Sequence, residues 1–292
     1  MSRTAYVNGR YVPHSRATVH IDDRGYQFAD GVYEVCEVRG GRLVDERRHM
    51  ARLKRSLGEL RMRWPLAPAA LAVVMREVVR RNRVREGIVY LQVSRGVARR
   101  NHAFPAVDVA PAIVVTARPI DTADLAKKAE EGVSVITVPE NRWERVDIKS
   151  IGLLPNVLAK QKARESGAFE AWFVDRQGLV TEGSSTNAWI VTAAGPIVTR
   201  SAEAGILRGV TRTGVLDVAT GEALPIEERP FSVSEALAAS EAFITSASLK
   251  VTGVVRIDGV VIGSGRPGPV ANLLRCLFRE RAEISPLWAS GV

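Results

Sequence analysis

Residues 146–160 read VDIKSIGLLPNVLAK. Lys149 follows Val146, Asp147 and Ile148 and precedes Ile151, Leu153 and Leu154, in a segment patterned for burial. Desolvating an isolated ammonium costs more than one side chain recovers, so a lysine here is paired, neutralised or used chemically. On a strand, Asp147 and Lys149 share a face and can form an ion pair. The other reading is an amine kept reactive for Schiff-base chemistry, a role open to lysine because its pKa falls readily on burial. Periodicity leaves both open.

Toward the N-terminus the pattern is one of strands, then helices. YVNGRYV and VRGGRLV set Asn8-Gly9 and Gly40-Gly41 between alternating apolar residues, as two-residue hairpins require. Met50, Leu53, Leu57 and Leu60 keep helical spacing, as do Leu71, Val74, Met75, Val78 and Val79 after Pro68. GIVYLQVSRG and PAIVVTARP return to strand character. The polar, proline-broken stretch 116–132 is the expected connection, giving an N-terminal α/β domain over 1–120 and a C-terminal one over 121–292 that carries Lys149. In the second, strands are expected at 132–138, 170–175 and 186–192 and a hairpin at Asp258-Gly259. Helices are expected at 155–166, from Gly209, from the capping box Ser232–Glu235, and through Val270, Leu273, Leu274, Leu277 and Phe278. The fold class is α+β or α/β, in two domains.

Composition sets limits on function. Of 292 residues, 46% are hydrophobic and 25% charged, as in ordinary globular chains. No apolar run reaches signal-peptide length at the N-terminus or the roughly 20 residues that span a bilayer, so a cytoplasmic protein without a membrane partner is expected. Two cysteines, Cys36 and Cys276, give neither a disulfide framework nor a zinc site. The net charge of +9 is compatible with nucleic acid, an anionic surface or acidic small molecules. The arginines lie in scattered pairs (47–48, 80–81, 99–100) with no zinc-finger spacing or RNA-binding aromatic motif, which favours a solvated arginine-rich surface.

The stretch VTEGSSTNAWIV, 180–191, places Glu182 before a small polar run and a strand, where it can simply end a turn. Together with Lys149 the pattern resembles the fold type IV pyridoxal-phosphate enzymes, the branched-chain and D-amino acid aminotransferase group. HMARL (49–53), ILRGVTR (206–212) and FITSAS (243–248) are similar to its phosphate-binding segments. DRGYQFADGVYEV (23–35), QVSRGVARRNHAFP (92–105) and DIKSIGLLPNVLAKQ (147–161) most resemble the D-amino acid branch. The likeness runs from about residue 3 to 282.

The resemblance implies a cofactor, pyridoxal 5'-phosphate, in an interdomain cleft, and a transaminase acting on a D-amino acid and a 2-oxo acid. Lys149 would hold the aldehyde as an imine and then move the substrate's α proton. Glu182 would face the protonated ring nitrogen and Leu207 would pack on the ring. Arg52, the amides of Val210 and Thr211 at a helix start, the Thr211 hydroxyl and Ser248 would take the phosphate. Read alone, Arg52 is an exposed helix arginine and Leu207 a core leucine. Tyr33, Arg100 and His102 would trap the substrate carboxylate, with the loop of Arg100 and His102 reaching the site of a second subunit in a homodimer. Two departures from the family pattern stand out. Leu249 and Lys250 replace a hydroxyl and an acid, and Ala29 replaces a glycine. Alternatives are a transaminase of L-branched-chain acids or (R)-amines, an aminodeoxychorismate lyase of the same fold, or a basic nucleic-acid-binding protein.

Overall fold

A computed structural model describes residues 3–106 and 108–286. They form two compact units. The first holds the residues up to Asp121, with Ile148–Gly152 and the described residues from Glu283; the second holds Thr122–Asp147 and Leu153–Ala282.

The first unit runs β1 (Thr4–Val7), β2 (Arg10–Pro13), α1 (Arg24–Phe28), β3 (Gly31–Arg39), β4 (Arg42–Leu43), α2 (Glu46–Glu59), α3 (Pro68–Arg81), β5 (Gly87–Ser94) and β6 (Ala112–Pro119). Its sheet has the order β2-β1-β6-β5-β3-β4. The hairpins turn at Asn8-Gly9 and Gly40-Gly41, all four residues having positive φ as such turns demand. On β3 the residues Val32, Glu34, Cys36 and Val38 form one buried row, and α2 and α3 bring Leu53, Leu57, Leu71, Met75 and Val78 into the same core.

Lys149 belongs to this unit, contrary to the expectation that the second domain carries it. The reason is main-chain pairing. Tyr33 N–H donates to Lys149 O at 3.0 Å, Ile151 N–H donates to Gly31 O at 3.1 Å, and Val32 bridges Ser150. Gly31 permits this, because a Cβ there would meet Val93 O at 2.6 Å and Ile151 Cδ1 at 3.0 Å.

The second unit contains α4 (Thr122–Glu131), β7 (Val133–Pro139), α5 (Leu154–Glu165), β8 (Glu170–Val174), β9 (Val180–Gly183), β10 (Asn187–Val191), β11 (Ile197–Thr199) and α6 (Val210–Gly221). After these come β12 (Ile226–Glu228), α7 (Val233–Leu237), β13 (Glu241–Ser246), β14 (Lys250–Ile257), β15 (Val260–Val261) and α8 (Pro269–Arg281). The main sheet order is β12-β11-β10-β13-β14-β7-β8-β9, with β15 on β14. Both faces are covered. Ala188, Ile190, Ala242 and Ile244 pack with Trp172 and Phe231, while Trp189 and Phe243 pack on the other side against Val215, Leu274 and Phe278. Part of the stretch expected as a connection is α4, which has no fully buried residue and turns only Leu125, Lys128 and Ala129 partly inward. No helix among the described residues is long and apolar enough to cross a membrane.

Ala29, at the C-cap of α1, has φ 56° and ψ 27°, the left-handed region that favours glycine. The replacement of a glycine there is therefore a local cost. Ala29→Gly is expected to stabilise the protein by about 1 kcal/mol, read as a higher thermal midpoint. A lower midpoint would show that the alanine methyl contributes packing that outweighs the backbone strain.

Candidate active site

β3 presents Tyr33 on one side and Glu34 on the other. The Lys149 ammonium lies 4.2 Å from the centroid of the Tyr33 ring, which in turn stacks on Tyr90 at 5.7 Å. Lys149 is half-buried, and among the described residues of its own unit no carboxylate pairs with it. It is not on a strand, and Asp147 is engaged by Arg145, with Nε 3.0 Å from Oδ1 and Nη2 3.1 Å from Oδ2. Burial and the neighbouring Tyr33 push the Tyr90 hydroxyl up to about 12, and it donates to Gln92 Oε1 at 2.7 Å.

Behind the strand, Glu34 is 0% exposed. A carboxylate cannot stand there unpaired. Arg52 grips it with Nε to Oε1 at 2.8 Å and Nη2 to Oε2 at 2.7 Å, and His49 Nδ1 meets Oε2 at 2.7 Å. Burial alone would raise this carboxyl, but the Arg52 charge and the bonds from Arg52 and His49 outweigh it and hold it at about 2. Arg52 is thus turned inward from α2 and fixed in orientation. Glu34 and His49 were not singled out from sequence, because partners 18 and 15 residues away leave no local pattern.

Arg100 and His102 lie exposed on the loop after β5 and gather on one ring. Arg100 Cζ is 4.6 Å from the Phe28 centroid, and the His102 ring is 5.5 Å from it. The structure therefore groups Arg100 with His102 on Phe28, and Tyr33 with Lys149 and Tyr90.

In the second unit Glu182 is the third residue of β9, 4% exposed. Arg142 Nη1 donates to Oε1 at 2.6 Å, Asn187 Nδ2 to Oε2 at 3.0 Å, and Leu207 N–H to both oxygens at 3.2 Å. Burial pushes its carboxyl up, with Arg142 acting against that. The result is a desolvated, proton-attracting acceptor suited to a cationic N–H. Asn187 also donates to Leu207 O at 3.0 Å, fixing the leucine from both sides. Arg142 and Asn187 were likewise not foreseen.

Asn187, at the start of β10, pairs with Thr245 near the end of β13. The N-terminus of α6 comes close to it: a Cβ on Gly209 would sit 2.0 Å from Asn187 Oδ1. Gly209 caps α6 with no side-chain bond, and Val210 and Thr211 are both buried in the first turn. Free amides at an uncapped, glycine-led helix start fit a phosphate. In the tight turn between β13 and β14, Ser248 Oγ lies 3.4 Å from Ser246 Oγ, and Leu249 packs against the core.

A family model for class IV amino-transferases matches residues 31–257. The chain belongs to the class IV aminotransferase family. A D-alanine aminotransferase of Bacillus licheniformis is 43% identical over 265 residues, covering 91% of this chain and 92% of that protein. One of Staphylococcus aureus (strain MSSA476) is 38% identical over 278 residues, covering 95% and 97%. Among solved structures, a T.th. branched-chain amino acid aminotransferase with pyridoxamine 5'-phosphate superposes with a TM-score of 0.87 at 27% identity, covering 96% of this chain and 94% of that one. Membership in this family of enzymes replaces the nucleic-acid-binding alternative.

The Glu34 cluster sets an acid limit. Its folded pKa of about 2 lies below the ordinary 4.5, so its contribution, on the order of 3 kcal/mol, is present above about pH 4.5 and is lost as pH falls toward 2. Glu34→Gln leaves Arg52 buried without its anion and is expected to cost about 3–5 kcal/mol at neutral pH while flattening the fall of the thermal midpoint between pH 5 and 3. An unchanged pH slope in Glu34→Gln would contradict this assignment.

Proposed function

We propose that the protein is a pyridoxal-phosphate transaminase that moves the amino group of a D-amino acid such as D-alanine to a 2-oxo acid such as 2-oxoglutarate. The observation that carries the reading is the full-length likeness to proteins named D-alanine aminotransferase. Bound pyridoxal phosphate would supply an aldehyde to receive the amino group and a ring to accept electrons.

The remaining work falls to side chains of this chain. Lys149 would hold the aldehyde and, once released, would take the proton from the α carbon of the donor and, in the reverse half-reaction, deliver one to the α carbon of the acceptor. Glu182 receives the ring nitrogen's hydrogen bond, and Arg142, Asn187 and the Leu207 amide keep its carboxylate aimed. Arg52, the amides of Val210 and Thr211, the Thr211 hydroxyl and Ser248 bind the phosphate, and Leu207 packs on the ring. Tyr33, Arg100 and His102 would bind the carboxylate and, by fixing where it sits relative to Lys149, would set handedness.

We also propose a homodimer in which Arg100 and His102 serve the partner's site. The exposed apolar row Leu154, Val157 and Leu158 on α5, at 69%, 58% and 59%, supports burial against a second copy, as does Ile21 at 75%. The free thiols Cys36 and Cys276 suit a reducing cytoplasm.

Cofactor spectra in half-reactions test the proposal. D-Alanine is expected to convert the bound cofactor to its amine form far faster than L-alanine. Arg100→Ala should lose on the order of 2 to 5 kcal/mol in transition-state binding. Comparable rates with L-leucine, or with an (R)-amine that has no carboxylate, would overturn the D-amino acid reading.

A further inference from the structure

The loop that carries Arg100 and His102 is stitched to the segment before β3 by one partly buried carboxylate and two arginines. Arg24, 3% exposed, donates from Nε to Asp30 Oδ2 at 2.8 Å, from Nη1 to Asn101 O at 2.6 Å and from Nη2 to His102 O at 3.3 Å. All three nitrogens of the guanidinium are engaged, and two of them hold consecutive carbonyls of the loop. Arg95, 7% exposed, closes the other side of Asp30, with Nε to Oδ2 at 2.7 Å and Nη2 to Oδ1 at 3.0 Å; its Nη2 also reaches Leu60 O at 2.8 Å. Burial raises the Asp30 carboxyl, but Arg95 and Arg24 outweigh it and keep it below its ordinary value.

The rings repeat the pattern. Phe28 takes Arg24 at 4.8 Å and Arg100 at 4.6 Å, and Arg95 lies over Phe104 at 3.7 Å. The backbone joins too. Arg24 N–H donates to Gly96 O at 2.9 Å, Arg95 N–H to Asp30 O at 3.0 Å, and Ala98 N–H to Asp22 O at 3.2 Å. An exposed loop has no packing of its own to fix two functional side chains, so their placement must come from such ties.

We infer that Arg24 and Asp30 are positioning residues for substrate-carboxylate recognition, acting by clamping the carbonyls of Asn101 and His102 and, through Phe28, the Arg100 guanidinium. This rests on the reading of Arg100 and His102 as the carboxylate trap. Arg24 is the specific element: lysine keeps the charge yet cannot serve a carboxylate and two carbonyls with a planar fork.

The test compares Arg24→Lys, Asp30→Asn and Phe28→Leu in the holoenzyme. The clamp predicts that KM for D-alanine and the inhibition constant of propanoate, a bare carboxylate, both rise on the order of tenfold or more. The loss should fall on KM far more than on kcat, cofactor absorbance should stay near that of the parent, and Phe28→Leu, which strands no charge, should also keep the parental thermal midpoint. Parental KM and propanoate inhibition in folded variants overturn the inference. So does an even loss of kcat, cofactor retention and stability, or failure of all three variants to fold, each of which assigns the cluster to stability alone. A parent enzyme that does not prefer D-alanine to L-alanine would instead sink the functional reading beneath it.

Discussion

The amide of Tyr33 donates to the carbonyl of Lys149, and the amide of Ile151 donates to the carbonyl of Gly31. Each such bond contributes only about 1 kcal/mol net. Their consequence is geometric, because they fix a five-residue segment from the middle of the chain onto β3 and lay the lysine against Tyr33. β3 then becomes the reference for its whole unit. Asp30 at its start ties down the loop of Arg100 and His102, Tyr33 meets Lys149, and Glu34 on the reverse side orients Arg52. Neighbouring residues of a strand point to opposite faces, so one strand can serve these partners without crowding.

Charge is managed by the same economy. Glu34, Asp30 and Glu182 are carboxylates in poorly solvated surroundings, and each is met by one or two arginines: Arg52 forks onto Glu34 and Arg95 onto Asp30, while Arg142 reaches Glu182 through Nη1 alone and forks onto Glu140. Removing either member of such a pair would strand the other, so the pairs act as rigid fixtures even where their net contribution to stability is small. At the surface, Arg80 and Arg81 share Glu77, and Arg229 joins Glu227 and Glu235. Such pairs neutralise themselves, so the net charge of +9 comes from the basic residues in excess of the carboxylates, 41 against 32.

Much of the fold was legible because its signals are local. Asn8-Gly9, Gly40-Gly41 and Asp258-Gly259 are all hairpin turns with positive φ, and the apolar rows of α2, α3 and α8 keep helical spacing. What escaped was non-local or lacked a stripe. The placement of 148–152 in the first unit depends on pairing across more than a hundred residues. α4 has no fully buried residue, and its half-buried row of Leu125, Lys128 and Ala129 mixes a charge with two apolar residues. The Ser232–Glu235 box appears by half: Ser232 Oγ accepts from the Glu235 amide at 3.1 Å, while the Glu235 carboxylate goes to Arg229. Around the candidate site, motifs named Lys149, Arg52 and Glu182; Arg24 and Glu34 stand in the quoted stretch 23–35 and Asn187 in 180–191, but their bonds to Asn101, Arg52 and Leu207 cross 18 to 77 residues and, like those of Arg142, leave no local signal. A positive φ at Ala29 makes the replacement of a glycine there a strained one, which the sequence alone does not display.

We propose that this pairing selects Lys149, among the chain's seven lysines, as the residue that holds the cofactor. Borohydride reduction of the holoenzyme followed by peptide mapping tests it most directly. The account predicts the reduced cofactor on the peptide containing Lys149 and none on those containing Lys160 or Lys162. Cofactor fixed to either of those helix lysines, or to any other, would contradict it.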